Sequence, residues 1–510
     1  MADNLRSFKL SCKGGLDTGR DLLSQGETKP GSAIALINYE PALTGGYRRI
    51  SGFSNTYGTV SGTGPILGVE VANGINSGIL ACRKPTTGNN YLHQWDGSAW
   101  QAVTAAGSPT MVGVAKVRFT KFNLGTPKVM LTDGINPAAT YDGSTYTQIT
   151  HTSAPTDPRL SAEFQNHMML AGDPAEDTNI YFSAPYAETD FSVANGAGVI
   201  NVGFPVVAMK TFRNALYIFG TNNIRKLVGS SAANFSLESV TDNLGCMATE
   251  SVMELGGDLV FLSQDGLRPV TGTDRIGDVN LQTISKDIQS IITGVVLSLN
   301  LDGLNSVVIR SKSQFRLLFG ATDSQGIVGA LRPGEQGIGY EYGQLLGIEA
   351  TAAASGYIGQ NEFIIHGDST GLVHRQEQGT TFNGADIFSA FQSPFFHMED
   401  PEVRKVIYSV ATYLRSEGDS TIVLGVEYDY QDHDTLTPTN YDLGIQGVAA
   451  FYGEAQYNAT AIFDGNPSPV FRTNVTGSGK SVSLRYVTSG TEASHTIQGI
   501  VITYGLGDRL

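Results

Sequence analysis

Two short runs in this chain of 510 residues carry the residue types of known reaction centres. Gly367-Asp368-Ser369-Thr370-Gly371 fits the G-x-S-x-G pattern, in which a serine on a strained strand-to-helix turn attacks an acyl carbon. His374 is close enough in sequence to act as its base. Thr476-Gly477-Ser478-Gly479-Lys480-Ser481 matches the end of a P-loop, whose amides and lysine hold phosphate. Both chemistries depend on the element that carries the residues. The serine needs a helix after it, yet Leu372-Val373-His374-Arg375 reads as a second strand following Phe363-Ile364-Ile365-His366. A P-loop needs a further glycine five residues before Gly479, where Asn474 stands, and it must open a helix. Val482-Ser483-Leu484-Arg485-Tyr486-Val487 alternates instead like a strand. Both runs are expected to be hairpin turns, with Gly479 in a long, loose one.

Carboxylates gather at Asp429-Tyr430-Gln431-Asp432-His433-Asp434, but the glycine and terminal glutamate of a calcium-binding EF-hand loop are missing, so a solvated loop is expected. The remaining histidines, His93, His151, His167, His366, His397 and His495, form no HxxxH or HExxH pair. The Ser-x-Asp-x-Gly-x-x-Trp box of many sialidases is absent from the repeated units. No catalytic, cofactor-binding or metal-ligating residue is assigned, no cofactor is expected, and the chain reads as a non-enzyme. Cys12, Cys82 and Cys246 are far apart and odd in number, so reduced, buried thiols are expected rather than a disulfide framework.

The elements that must position these residues are legible in composition. Only 16% of residues are charged, well below the roughly 25% of an average soluble domain. There are 61 glycines, and the 41% of hydrophobic residues excludes wholesale disorder. Charged helix surfaces are replaced by Gly, Ser, Thr and Asn turns, which points to a mainly β fold. Lys plus Arg number 33 against 48 Asp plus Glu, a net charge of −15. Basic residues read at most as isolated pairs, which argues against a protein that grips nucleic acid by its phosphates. The N-terminus lacks an apolar secretory signal and no stretch suits a transmembrane helix, so synthesis in a cytoplasm is expected.

A repeat organises the middle of the chain. Trp95-Asp96-Gly97-Ser98-Ala99-Trp100 returns 46 residues on as Tyr141-Asp142-Gly143-Ser144-Thr145-Tyr146, each an Asp-Gly turn between aromatic residues. Residues 216–227 align without a gap on 259–270. Taking Leu80, Met130, Met169, Tyr217, Val260, Leu317 and Ile364 as strand anchors gives steps of roughly 40 to 57 residues, the period of propeller blades. The expectation is a six- or seven-bladed β-propeller over residues 56–390. Residues 1–55 read as an N-terminal arm that leaves the core before returning. Residues 391–510 carry longer alternating strands that suit a β-sandwich, which together with the arm forms a platform. Ser285-Lys286-Asp287-Ile288-Gln289-Ser290-Ile291-Ile292 is the best helix, with Ser285 as N-cap.

Several segments resemble the tail hub, or nozzle, proteins of short-tailed bacteriophages of podovirus type. They are Gly14-Gly15-Leu16-Asp17, Asn38-Tyr39-Glu40-Pro41, Gly45-Gly46-Tyr47-Arg48-Arg49-Ile50-Ser51-Gly52-Phe53, and Asn166-His167-Met168 with Phe182-Ser183-Ala184-Pro185. Asp190-Phe191-Ser192, residues 212–220, Thr283-Ile284-Ser285-Lys286-Asp287-Ile288, residues 367–374 and Tyr504-Gly505-Leu506-Gly507-Asp508-Arg509 complete the set. The resemblance spans most of the chain and rests on structural motifs. It implies a virion tail protein that forms a homo-hexameric ring below the adaptor (head-to-tail connector) and portal. Tail fibres or tailspikes are implied partners, and viral duplex DNA would pass through the lumen without sequence-specific binding. An acidic wall suits such a conduit, since it offers phosphates no grip. The competing reading is a carbohydrate-binding β-propeller with a C-terminal β-sandwich.

Overall fold

The computed structural model describes residues 5–104, 106, 112–270, 283–298, 301–320, 324–334, 337–430, 440–445 and 470–507. Positions 431–434 of the carboxylate run, and Asp508 and Arg509 of the ending, lie outside them.

The two aromatic hairpins share one geometry. Trp95 pairs with Trp100, and Tyr141 with Tyr146. Asp96 Oδ1 accepts from the Ser98 and Ala99 amides at 2.8 Å each, and Asp142 Oδ1 from those of Ser144 and Thr145 at the same distance. Gly97 and Gly143 sit at φ 107° and 97°, where a side chain is strained. Both turns join the third and fourth strands of a small antiparallel sheet. The second repeat also recurs as a hairpin, of second and third strands. Its turn is shorter by two residues at Gln264-Asp265, because Ser263 pairs directly with Gly266.

All seven anchors lie on the second strand of successive sheets, from Ile79–Lys84 to Asn361–Gly367. Five sheets are blades made by strands within residues 63–102, 118–148, 160–201, 208–241 and 253–269, and a sixth is made by strands within 352–376 together with Phe53–Ser54. Between the last two, Asn305–Ile309, Gln314–Leu318, Gln325–Gly334 and Gly337–Leu346 fill a seventh position, and their sheet runs on into the platform. This is the expected β-propeller. Alternation explains how the blades pack. In Leu160–Phe164, Leu160, Ala162 and Phe164 are buried against the following blade, while Ser161 donates to Thr120 Oγ1 at 2.8 Å and Glu163 accepts from the Asn123 amide at 3.2 Å on the preceding one.

The last blade is closed by the start of the chain. Phe53–Ser54 pairs with Arg375 and Gln376 as its outer strand, and Thr63–Val71 then begins the first blade. An otherwise free sheet edge is thereby covered. Tyr57, in the connection, lies edge-on to Trp95 at 5.5 Å, and Trp100 Nε1 donates to its carbonyl at 2.7 Å.

The platform consists of two sheets. In one, Arg6–Ser11 and Lys405–Ser416 both pair with His495–Leu506, which also meets Tyr47–Arg49. In the other, Ala35–Ile37 lies between Gly337–Leu346 and Ile387–Gln392, followed by Val482–Gly490 and Ser420–Tyr428. A single core that includes Leu10, Tyr39, Phe391, Val410, Leu424 and Ile500 holds residues of both. The N-terminal arm packs with the C-terminal strands, and Leu10, Tyr39 and Tyr47 bury their apolar surface in the shared core.

The glycine- and arginine-rich segment rivets this platform. Tyr47 Oη donates to the Gly31 carbonyl at 2.6 Å and accepts from the Gly15 amide at 3.1 Å. A Cβ on Gly15 would stand 2.5 Å from the Tyr342 nitrogen, so the close approach requires glycine. Arg49 is fully buried and donates to the carbonyls of Ile387 (2.8 Å), Gly490 (2.6 Å) and Glu492 (2.6 Å).

The helix forms over Gln289–Ser298 after a short 3-10 turn at Lys286–Ile288. Ser285 does not cap it. Its hydroxyl accepts instead from the Leu267 amide at 3.0 Å, satisfying a strand that has no further described neighbour. Ile288 and Ile292 join the platform core. No helix among the described residues is long and apolar enough to cross a membrane.

Candidate functional site

Structure removes the chemistry from both sequence motifs. Residues 367–371 form a turn between Asn361–Gly367 and Val373–Gln376, two paired strands. Asp368 closes it, accepting from the Thr370 and Leu372 amides at 2.9 Å each. His374 Nε2 meets Asp368 Oδ2 at 3.0 Å, so Asp368 rather than Ser369 holds the imidazole edge. Ser369 is exposed on the turn. In the second motif the Lys480 and Ser481 amides, which a phosphate would need, donate to Asp429 Oδ1 at 2.6 and 3.0 Å.

Gly479 is not in a loose loop. It is buried in the short strand Ser478–Gly479, paired with Lys405, and a Cβ there would come 2.9 Å from the Ser481 carbonyl oxygen. The Tyr428 side chain, from another strand, closes on the same position, and no local pattern announces it. The three cysteines are free and buried, and burial raises each thiol's pKa. Among the described residues no group of three or more His, Cys, Asp or Glu is placed to hold a metal ion.

The propeller's central channel forms a concavity of about 850 Å³, lined by the inner strand of every blade. Its charged lining is Lys116, Arg118, Lys121, Lys210, Arg213 and Arg310 against Glu70, Glu163, Glu250 and Glu254. Positive groups outnumber negative ones here, the reverse of the whole chain. Two pairs are internal: Arg118 Nε to Glu250 Oε1 at 2.7 Å, and Lys121 Nζ to Glu70 Oε1 at 2.9 Å. Burial alone would raise the Glu250 carboxyl, but the Lys116 and Arg118 charges override it and hold it low. Lys116 donates to the Leu304 carbonyl at 2.9 Å, and burial pulls its ammonium down to about 8. Lys210 is exposed to the channel space, yet the surrounding protein still pulls its pKa down, aided by Lys121 and Arg310.

The sequence reading found none of these residues as a group. Lys116, Arg118 and Lys121 come from one blade and Lys210, Arg213 and Arg310 from two others, so basic residues that look isolated along the chain meet in space. One local signal existed in Lys116-Val117-Arg118-Phe119-Thr120-Lys121, three cations at the start of an inner strand.

A second charged cluster joins propeller to platform. Glu40 Oε1 pairs with Lys312 Nζ at 2.6 Å and Arg48 at 3.2 Å, and Glu40 Oε2 with Arg316 at 3.3 Å. Glu377, from the last blade, pairs with Lys312 and Arg316. Burial would raise the Glu40 carboxyl, but Lys312, Arg316 and Arg48 hold it at about 2. Its role is structural: it fixes three segments of the chain at one point.

No protein-family model and no curated protein matches the chain. Among solved structures it is similar to an ancestral GH74 enzyme, at 9% identity and TM-score 0.39 over 73% of this chain and 53% of that one. The chain therefore spans about half the length of that enzyme. It is also similar to Hsv2 of Kluyveromyces lactis (12% identity, TM-score 0.32, 55% of this chain and 98% of that one). A third is the exo-beta-1,3-galactanase of Phanerochaete chrysosporium (10% identity, TM-score 0.25, 89% of this chain and 100% of that one). The likeness concerns the fold alone. The expectation of a non-enzyme is corrected to this extent: glycoside hydrolases stand among the similar structures.

Proposed function

We propose that this chain is the tail hub, or nozzle, subunit of a short-tailed bacteriophage. It assembles as a homo-hexameric ring below the adaptor and portal, in the virion tail, and the ring's lumen conducts the genome at ejection. Fibres or tailspikes dock on the same tail.

The observation that carries this reading is the interlocked platform. The segments resembling the hub family, Gly14-Gly15, residues 38–41, residues 45–53 and the strand ending at Leu506, are remote in sequence. They meet there through Tyr47, Arg48, Arg49 and the pairing of Arg6–Ser11 with residues 499–504. A platform tied this tightly can transmit load between neighbours in a ring while the blades stay free to project. The net charge of −15 multiplies around such a ring and disfavours adhesion of a passing duplex.

The test is negative-stain imaging of the purified chain, alone and mixed with the phage adaptor. Six-fold rings that stack coaxially on the adaptor support the reading. Isolated propellers that ignore the adaptor overturn it.

A further inference from the structure

We infer that the propeller's central channel binds a small, multiply charged oxyanion of the phosphate or carboxylate class, with Lys210 as its principal contact. The argument begins with space. The channel holds about 850 Å³ and is open to solvent, enough for a small polyanion and far more than one water needs.

Charge then selects the ligand. In a chain with more acidic than basic groups, this wall gathers six cations against four carboxylates. Arg118 and Lys121 already face Glu250 and Glu70. Lys210, at the middle of the inner strand Ala208–Phe212, has no ion pair within 4 Å among the described residues. Its carboxylate neighbours, Glu70 and Glu254, act on it only from longer range, and Lys121 and Arg310 oppose its charge. Lys116 rests on the Leu304 carbonyl near Arg118, with Glu250 and Asp302 as its acidic neighbours. Near them Arg159, just ahead of Leu160, keeps a buried Nε without an acceptor. An oxyanion spanning this wall would gain several cations at once in a narrow space where water screens poorly. Only Phe119 and Phe164 supply aromatic rings, and Phe164 is buried in the blade core, so stacking of sugar rings has little to rest on.

Glu254 provides an internal control, because it is exposed in the same channel and would repel the ligand. The experiment is isothermal titration of the full-length chain with pyrophosphate, and separately with citrate, at low and at physiological salt. Glucose serves as the uncharged comparison, and near-ultraviolet circular dichroism reports whether each variant keeps its fold. The expected result is 1:1 binding of at least one anion that weakens with salt and is absent for glucose. Lys210→Met should lose tenfold or more in affinity, and Glu254→Gln should gain several-fold. Binding that ignores both substitutions would place the anion elsewhere and overturn the inference, as would no binding of either probe at millimolar concentration. Because the ring of the proposed function is not required, failure here leaves that reading standing.

Discussion

Arg48 and Glu417, 369 residues apart in the chain, meet in a two-pronged ion pair with N···O distances of 2.6 and 2.7 Å. The next residue, Arg49, points the other way and ends on backbone carbonyls of two further strands. One dipeptide near the N-terminus thus holds the C-terminal strands from both sides.

These two contacts should differ in worth. Glu417 is more than one-third exposed, so Glu417→Gln should cost less than about 1 kcal/mol, as for surface pairs generally. Arg49→Met fills similar volume but leaves buried carbonyls without donors, and should cost on the order of 3 kcal/mol. Urea melts of the two variants check this ordering, and equal costs would contradict it.

Gly97→Val and Gly143→Val should each cost about 1–3 kcal/mol, from positive φ alone, since little or nothing crowds a Cβ at either site. Gly479→Val should cost at least as much by a different route, collision with the Ser481 carbonyl oxygen and Tyr428. Thermal melts that show Gly479→Val to be harmless would contradict the buried strand pairing.

The difference between those sites marks what could be read from the sequence. Asp96-Gly97 and Asp142-Gly143 are complete within six residues: the aspartate caps the turn and the glycine supplies the φ, so hairpins, repeat and propeller were legible. Gly479 is tight because the Tyr428 side chain and the Ser481 carbonyl oxygen close on it, and Ser285 is drawn from its helix by an amide 18 residues back. The arm's individual contacts were hidden for a similar reason, since Leu10 and Tyr47 find their core partners near the other end of the chain. The channel charges were legible only in part: Lys116, Arg118 and Lys121 stand close together in sequence, but Lys210, Arg213 and Arg310 join them from other blades.

Acid should loosen the joint between propeller and platform. Glu40 titrates near 2 in the folded protein, below its ordinary 4.5. The unfolded chain therefore takes up this proton first, and the stability it confers, complete above pH 4.5, is lost as pH falls from 4.5 towards 2. Melts across that range should show a steeper decline for the native chain than for Glu40→Gln, and parallel curves would contradict the assignment.

His495 acts at higher pH. It is fully buried against Tyr39 Oη at 2.7 Å, and burial lowers its pKa from 6.5 to about 3. Unfolding frees it to bind a proton, so stability falls as pH drops from 6.5 to 3. His495→Gln should reduce the slope of melting temperature against pH in that window. An unchanged slope would show that the imidazole is already charged in the fold.

If the assembled ring is a genome conduit, it should bind duplex DNA weakly even at low salt, where a phosphate-gripping protein tightens by orders of magnitude. Fluorescence anisotropy of a labelled duplex at rising salt measures this. Tight, steeply salt-dependent binding would indicate a clamp that holds the genome rather than a passage for it.

The central claim is the ring itself, and native mass spectrometry of the full chain at micromolar concentration tests it most directly. The account predicts a dominant species at six times the 54.2 kDa chain mass, retained when the adaptor is added. A chain that stays monomeric throughout, with and without the adaptor, would contradict it.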